Sequence, residues 1–343
     1  MKKLTALLLA ALLAFAALPA FGTAGVPAPQ RDIPDPIYLE GYVVGDPEGN
    51  LGGKWVGFTA ELPSEVTAFG SGLTTYAAAY TRGKVYGYVY GYNAVGDLCD
   101  YFYVMNAATH EISYPEGASS GGVFVYGMAF NSADRTMYAL CDEDHPYIAR
   151  VDLLTGALTK VVDVALGSAL GLQTFAIDAG GSFYALTFSA VSSKLVRINI
   201  STGALTEVLN TGLPCFYAQS MTYDHVTNSI YWAQVDSQTS LSNGLYRIDM
   251  DGYALSYCGM IGTNLELMAL YTVYDAPIEF LLGDADLDGD VDSADALLVL
   301  RWSMGIAFIE DEGLLAADVN ENGVIDSADA LMILRASMGL IEL

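Results

Sequence analysis

Residues 37–276 repeat with a period of about 47 residues, and the repeated pieces read as strands. One run recurs as Ala77-Ala-Ala-Tyr80, Met128-Ala-Phe130, Phe175-Ala-Ile-Asp178, Met221-Thr-Tyr-Asp224 and Met268-Ala-Leu-Tyr271. A second recurs as Val85-Tyr86-Gly, Met137-Tyr138-Ala, Phe183-Tyr184-Ala and Ile230-Tyr231-Trp. A third recurs as Tyr103-Val-Met-Asn106, Ala149-Arg-Val-Asp152, Val196-Arg-Ile-Asn199 and Tyr246-Arg-Ile-Asp249. Each third run leads into a turn, with Thr155-Gly156, Thr202-Gly203 or Asp251-Gly252 supplying the turn chemistry. Tyr, Gly, Val and Thr dominate, the runs alternate, and no amphipathic helix pattern intervenes, so the region is expected to be all-β.

Strands in this order, at a period of 40–50 residues, point to β-propeller blades. The fifth copy breaks off after Tyr274, while the strand-like runs Tyr38 to Val44 and Trp55 to Leu62 stand unassigned at the other end. Joining these ends in one blade closes the ring and hides both sheet edges. Five blades are therefore expected, and the chain is too short to supply six or seven. The Tyr/Asp/Thr-Gly pattern loosely resembles bacterial secreted propellers of the YVTN and NHL kind, a likeness that fixes no ligand.

The C-terminal 60 residues follow a different plan. Asp292-Ser-Ala-Asp-Ala-Leu-Leu-Val-Leu-Arg301 returns 34 residues later as Asp326-Ser-Ala-Asp-Ala-Leu-Met-Ile-Leu-Arg335. Each copy follows an acidic, glycine-centred loop. Loop positions 1, 3, 5 and 12 carry oxygen side chains: Asp284, Asp286, Asp288 and Asp295 in the first, Asp318, Asn320, Asn322 and Asp329 in the second. Position 7 needs only a backbone carbonyl, which Asp290 and Val324 supply. Gly289 and Gly323 at position 6 permit the sharp turn. Such a set is a cage for a hard cation, since Ca²⁺ takes six to eight oxygens. Two ions are expected, the second held more weakly because its loop carries fewer formal charges.

A duplicated calcium loop, each copy followed by one helix and with no evident helix before it, resembles a type I dockerin, over about 60 residues from Gly283. The fold class expected is thus an all-β five-bladed β-propeller plus a small α-helical calcium-binding dockerin with paired EF-hand-like loop–helix motifs. Asp at position 12 is the family's residue, where EF-hands prefer Glu; Asp286 stands where the family usually has Asn, and Asn322 replaces an Asp. The resemblance implies a cohesin module of a scaffoldin as partner, as in cellulosomes. Carried over residue by residue, the cohesin contacts are Ser293, Ala294, Arg301 and Trp302 in the first copy and Ser327, Ala328 and Arg335 in the second, with Ala336 at the place of Trp302. Ser293 and Ser327 also suit helix capping. The near two-fold repeat implies that either face can bind, in flipped orientations.

The N-terminus is expected to direct export. Lys2 and Lys3 precede an apolar stretch from Leu4 to Leu18 and small-residue cleavage sites ending at Gly22 or Ala24. The expected division is a signal peptide over 1–24, a Pro-rich lead-in over 25–36, the propeller over 37–276, a linker over 277–282 and the dockerin over 283–343. The mature protein is expected to be secreted, without a membrane span, and cell-surface associated through a scaffoldin. A formal charge of −26 argues against nucleic acid and anionic membranes as partners. Cys99, Cys141, Cys215 and Cys258 lack metal spacing; they allow either two disulfides or, as favoured for an anaerobe, free thiols.

Nothing in the repeats declares a catalytic site. Asp35-Pro36-Ile37 faintly echoes the start of arabinanase-type propellers, but Glu61, Glu143 and Glu207 do not supply a matching acid. His110, His145 and His225 lack metal spacing. The cluster Asp142-Glu143-Asp144-His145 reads as a solvated loop. Tyr86, Tyr88, Tyr90, Tyr92, Tyr101 and Tyr103 suit either sugar stacking or burial on one strand face. The functional expectation is a docked module whose propeller binds a glycan or protein during polysaccharide degradation. The alternative is a hydrolase or lyase with its site in the funnel.

Overall fold

The computed structural model describes residues 36–343 except 72–73, 93–97, 143–144, 216–218, 236–243, 274–280, 310, 321 and 323, and leaves aside the side chains of 91–92, 98–99, 311–312 and 315. The export segment, Asp35, Glu143, Asp144, Gly323, most of the linker and the side chains of Tyr92 and Cys99 lie outside the described residues. Among the described residues no helix is long and apolar enough to cross a membrane.

Among the described residues twenty strands make five four-stranded antiparallel sheets. Four are continuous in sequence. Blade one takes β4 (Thr75–Thr81), β5 (Lys84–Tyr92), β6 (Leu98–Asn106) and β7 (Ile112–Ser113). Blade two takes β8 (Phe124–Asn131), β9 (Thr136–Asp142), β10 (Pro146–Val151) and β11 (Leu158–Asp163). Blade three takes β12 (Leu172–Ile177), β13 (Phe183–Thr187), β14 (Lys194–Ile198) and β15 (Leu205–Asn210). Blade four takes β16 (Ser220–Asp224), β17 (Ser229–Gln234), β18 (Gly244–Asp249) and β19 (Ala254–Gly259).

The closing blade is composite. Its inner strand is β20 (Glu266–Thr272), which pairs with β1 (Tyr38–Gly45), followed outward by β2 (Lys54–Thr59) and β3 (Leu62–Ser71). Leu39 faces Thr272 and Val43 faces Leu267 across the seam, with a bulge where Ala269 takes φ +52°. The strands β4, β8, β12, β16 and β20 touch in succession and back to β4, so the ring is closed. The N-terminal contribution includes one more strand than the alternation suggested, since β3 follows β2 by a tight turn.

Burial explains the composition. Each blade-to-blade seam holds its own apolar cluster, including Trp55, Tyr103 and Tyr271 in one and Trp232, Met221 and Tyr184 in another. Tyr88, Tyr103, Tyr90 and Tyr86 are core residues, while Tyr101 is exposed. These four tyrosines thus fill seams. Cys141 and Cys215 are buried in two different seams and Cys258 is half-buried, and these three are not cross-linked to one another.

The C-terminal module has its own core. Helices α1 (Ser293–Ser303) and α3 (Ser327–Ser337) pack against each other, with α2 (Asp311–Ala317) between them in sequence. Its buried residues repeat at the 34-residue offset: Ala296 with Ala330, Val299 with Ile333, Ala285 with Val319. Helix α2, ahead of the second loop, was not expected; Leu314 and Ala317 place it on the same core.

Candidate functional site

Each calcium-type loop is organised by the carboxylate at its twelfth position. Asp295 accepts backbone N–H groups from Ala285 (2.8 Å), Asp286 (3.1 Å) and Asp292 (2.8 Å). Asp329 repeats this with Asn320 (3.3 Å) and Asp326 (3.0 Å). One side chain therefore ties the start of the loop to the start of the helix. Asp292 and Asp326 complete reciprocal capping boxes by accepting from the N–H groups of Ala294 and Ala328. The helix cap is Asp, not Ser, in both copies, which leaves Ser293 and Ser327 exposed.

Short-range bonds pre-shape the loops. Asp284 accepts from the N–H groups of Asp288 (3.1 Å) and Gly289 (3.0 Å), and Gly289 takes φ +101°. In the second loop Asp318 and Asn320 both accept from Asn322 N–H at 3.1 Å, and Asn322 accepts from Val324 N–H at 2.8 Å. In the first loop, carboxylate oxygens of Asp284, Asp286 and Asp295 lie within 4.8 Å of one another. Burial, then the neighbouring charges of Asp295 and Asp288, push the Asp286 carboxyl above its ordinary range. Burial likewise raises Asp295 against its lowering hydrogen bonds. Crowded carboxylates whose charged forms are disfavoured fit a divalent cation, because the ion supplies the missing charge compensation.

The cohesin-facing expectations fall on two matching stripes. Ser293, Ala294 and Arg301 are exposed on α1, and Ser327, Ala328 and Arg335 on α3. Trp302 differs, being half-buried against the module core with its ring edge-on to Phe308 at 6.3 Å. Sequence reasoning missed the leucines. Leu297 and Leu331 are 46% and 54% exposed, one turn beyond each Ser-Ala pair, and Met304 and Met338 extend the stripes. Exposed apolar side chains at identical places in a duplicated helix are the signal that could have found them.

In the propeller the recurring Asp152 and Asn199 cap their own turns, accepting backbone N–H groups two and three residues on, and Asp249 accepts the N–H two residues on. One of the propeller's deeply buried carboxylates is Glu40 on β1, 3% exposed, which the sequence did not single out. It accepts from the Tyr271 hydroxyl and lies 3.3 Å from His110 Nε2. The His110 ring stacks on Phe69 at 3.7 Å. Burial raises the Glu40 carboxyl above its ordinary range, partly offset by those two partners. Sealed between the closing blade and blade one, it fastens a seam rather than facing an open funnel.

Residues 282–336 match the family model of the dockerin type I domain, so the C-terminal module is a type I dockerin. No curated protein matches the chain. Among solved structures, the chain is similar to a protein of unknown function from Bacteroides thetaiotaomicron at 12% identity and TM-score 0.37, over 60% of this chain and 55% of that one. It is also similar to an oligogalacturonate lyase from Vibrio parahaemolyticus at 12% identity and TM-score 0.30, over 46% and 45%. A luciferin-regenerating enzyme gives 14% identity and TM-score 0.37, over 67% and 80%. The chain spans about half the length of the first two.

Proposed function

We propose that this protein is an exported component of a cellulosome-type assembly, fastened to a scaffoldin cohesin by its dockerin and carrying the propeller as a recognition module for a glycan or protein. The observation that carries the docking half is the duplicated, exposed Ser-Ala…Leu…Arg stripe on two packed helices, each led by an oxygen-rich loop. In this reading Ca²⁺ is held by Asp284, Asp286, Asp288, the Asp290 carbonyl and Asp295, and a second ion by Asp318, Asn320, Asn322, the Val324 carbonyl and Asp329. The ions offset loop charge that otherwise disfavours the folded loops.

Cohesin is contacted by Ser293, Ala294, Leu297 and Arg301, or by Ser327, Ala328, Leu331 and Arg335, with half-buried Trp302 at the margin of the first face. The first 24 residues serve as the export signal, the propeller runs over 37–276 and the dockerin over 283–343, which places the mature protein outside the cell. Size-exclusion chromatography of the full chain with a type I cohesin tests the reading. Co-elution in millimolar CaCl₂ and separate elution in EDTA are expected; co-elution in EDTA, or none with any cohesin tested in calcium, counts against it.

A further inference from the structure

Blade three carries a cleft of about 460 Å³, within the range of small-molecule sites, between the 164–171 link, the β13–β14 loop and the outer strands β14 and β15. We propose that this cleft is the propeller's glycan subsite and that it takes a short neutral oligosaccharide. The inference rests on reading the propeller as a recognition module.

Three features of the cleft converge on that ligand class. On its polar side Lys194 Nζ donates to Glu207 Oε2, with both side chains 46% exposed. An ammonium has three donors and a carboxylate about four acceptor sites, so the pair keeps free positions for a ligand while its net charge is zero. In a chain of formal charge −26, a site without surplus positive charge does not favour an anion, and the carboxylate is already answered by a cation.

The hydroxyls are the second feature. Ser189 Oγ accepts from the N–H groups of Ser192 (3.0 Å) and Val191 (3.3 Å), which leaves its own hydrogen to donate. Ser192 Oγ donates to Asn210 Oδ1 at 2.6 Å, which leaves its lone pairs to accept. A donor beside an acceptor matches a sugar hydroxyl, which does both.

The third feature is apolar. Half-buried Phe188 and Leu166 line the cleft, and the loops on its two sides present Leu170 and Val191 at 81% and 78% exposure. The C–H faces of a pyranose ring would cover such surface, removing it from water while its hydroxyls meet the polar side.

Isothermal titration of the full chain in calcium, with xylohexaose and cellohexaose as neutral probes and trigalacturonate as the anionic one, tests this. Saturable binding of a neutral probe is expected, weakened about tenfold or more in the Lys194→Ala/Glu207→Ala double variant. Ser168→Trp, which fills the cleft from an exposed position, should abolish it. The altered side chains lie at the surface, so unchanged melting temperatures are expected for both variants. Neutral-probe binding that both variants retain overturns the cleft but leaves the recognition reading standing. Preference for trigalacturonate overturns the neutral class, and failure of all three probes overturns the glycan subsite while leaving recognition of a protein standing.

Discussion

Asp295 shows how much can hang on one side chain. It accepts three backbone N–H groups and belongs to the oxygen set that would hold the first ion. Asp295→Ala should remove the reciprocal half of the capping box and orphan the loop's start together, costing about 1–3 kcal/mol of module stability. Calcium affinity should fall with it; a calcium titration followed by Trp302 fluorescence reads both, and unaltered affinity would contradict the ligand assignment. Glu40 makes a different residue-scale case. Its folded carboxyl titrates above the unfolded value of about 4.3, so the stabilisation tied to its protonated form is complete below that value. That stabilisation is lost as pH rises through the folded value. The stability advantage of wild type over Glu40→Gln in urea should therefore shrink as pH rises from 5 toward 7.5; an advantage that grows would reverse the sign. The ligand role of Asp295 was legible in its loop spacing, whereas Glu40 sits in a strand whose alternation gives no hint that a carboxylate faces the seam.

At the scale of elements, the third-to-fourth-strand turns explain how blades lock. Gly156 and Gly203 occupy the fifth place of these turns at φ +67° and +70°, and a Cβ on Gly203 would lie 1.8 Å from the Asp163 carbonyl of the preceding blade. His110 and Tyr253 take the same place at φ +57° and +52° and reach back to the preceding blade, His110 to Glu40 and Tyr253 to Tyr184. Gly203→Ala should cost more than about 2 kcal/mol, because the left-handed backbone and the contact both penalise a methyl group. A thermal melt unchanged by this substitution would rule out the seam role. The three inner strands of each blade were legible because their apolar runs recur at a fixed period and are buried, the second strands almost throughout. The fourth strands were not, since β7, β11, β15 and β19 lie at the outer edge, and the burial of the last three alternates weakly. Helix α2 was equally hidden, being only seven residues long with a weak apolar pattern.

For the whole molecule, ring closure joins the two ends of the propeller sequence. β20 is an inner strand with no partner of its own blade except β1, supplied from the opposite end. Deleting residues 34–62 should thus leave a chain that is insoluble or lacks cooperative melting, by exposing Leu267, Leu270 and Tyr271. Truncation after residue 276 should leave a soluble propeller. A monomeric, cooperatively melting protein without residues 34–62 would refute the closure. At this scale the sequence disclosed the plan from its two periods, 47 and 34, and withheld the ligand, because recognition depends on loops that do not repeat. The docking claim is tested most directly by titrating a type I cohesin into the full chain in calcium, with Glu placed at Ser293 and Ala294, at Ser327 and Ala328, or at all four. Binding should survive either pair alone and fail when both are changed; binding that persists in the fourfold variant would contradict the assignment of these two faces to the cohesin.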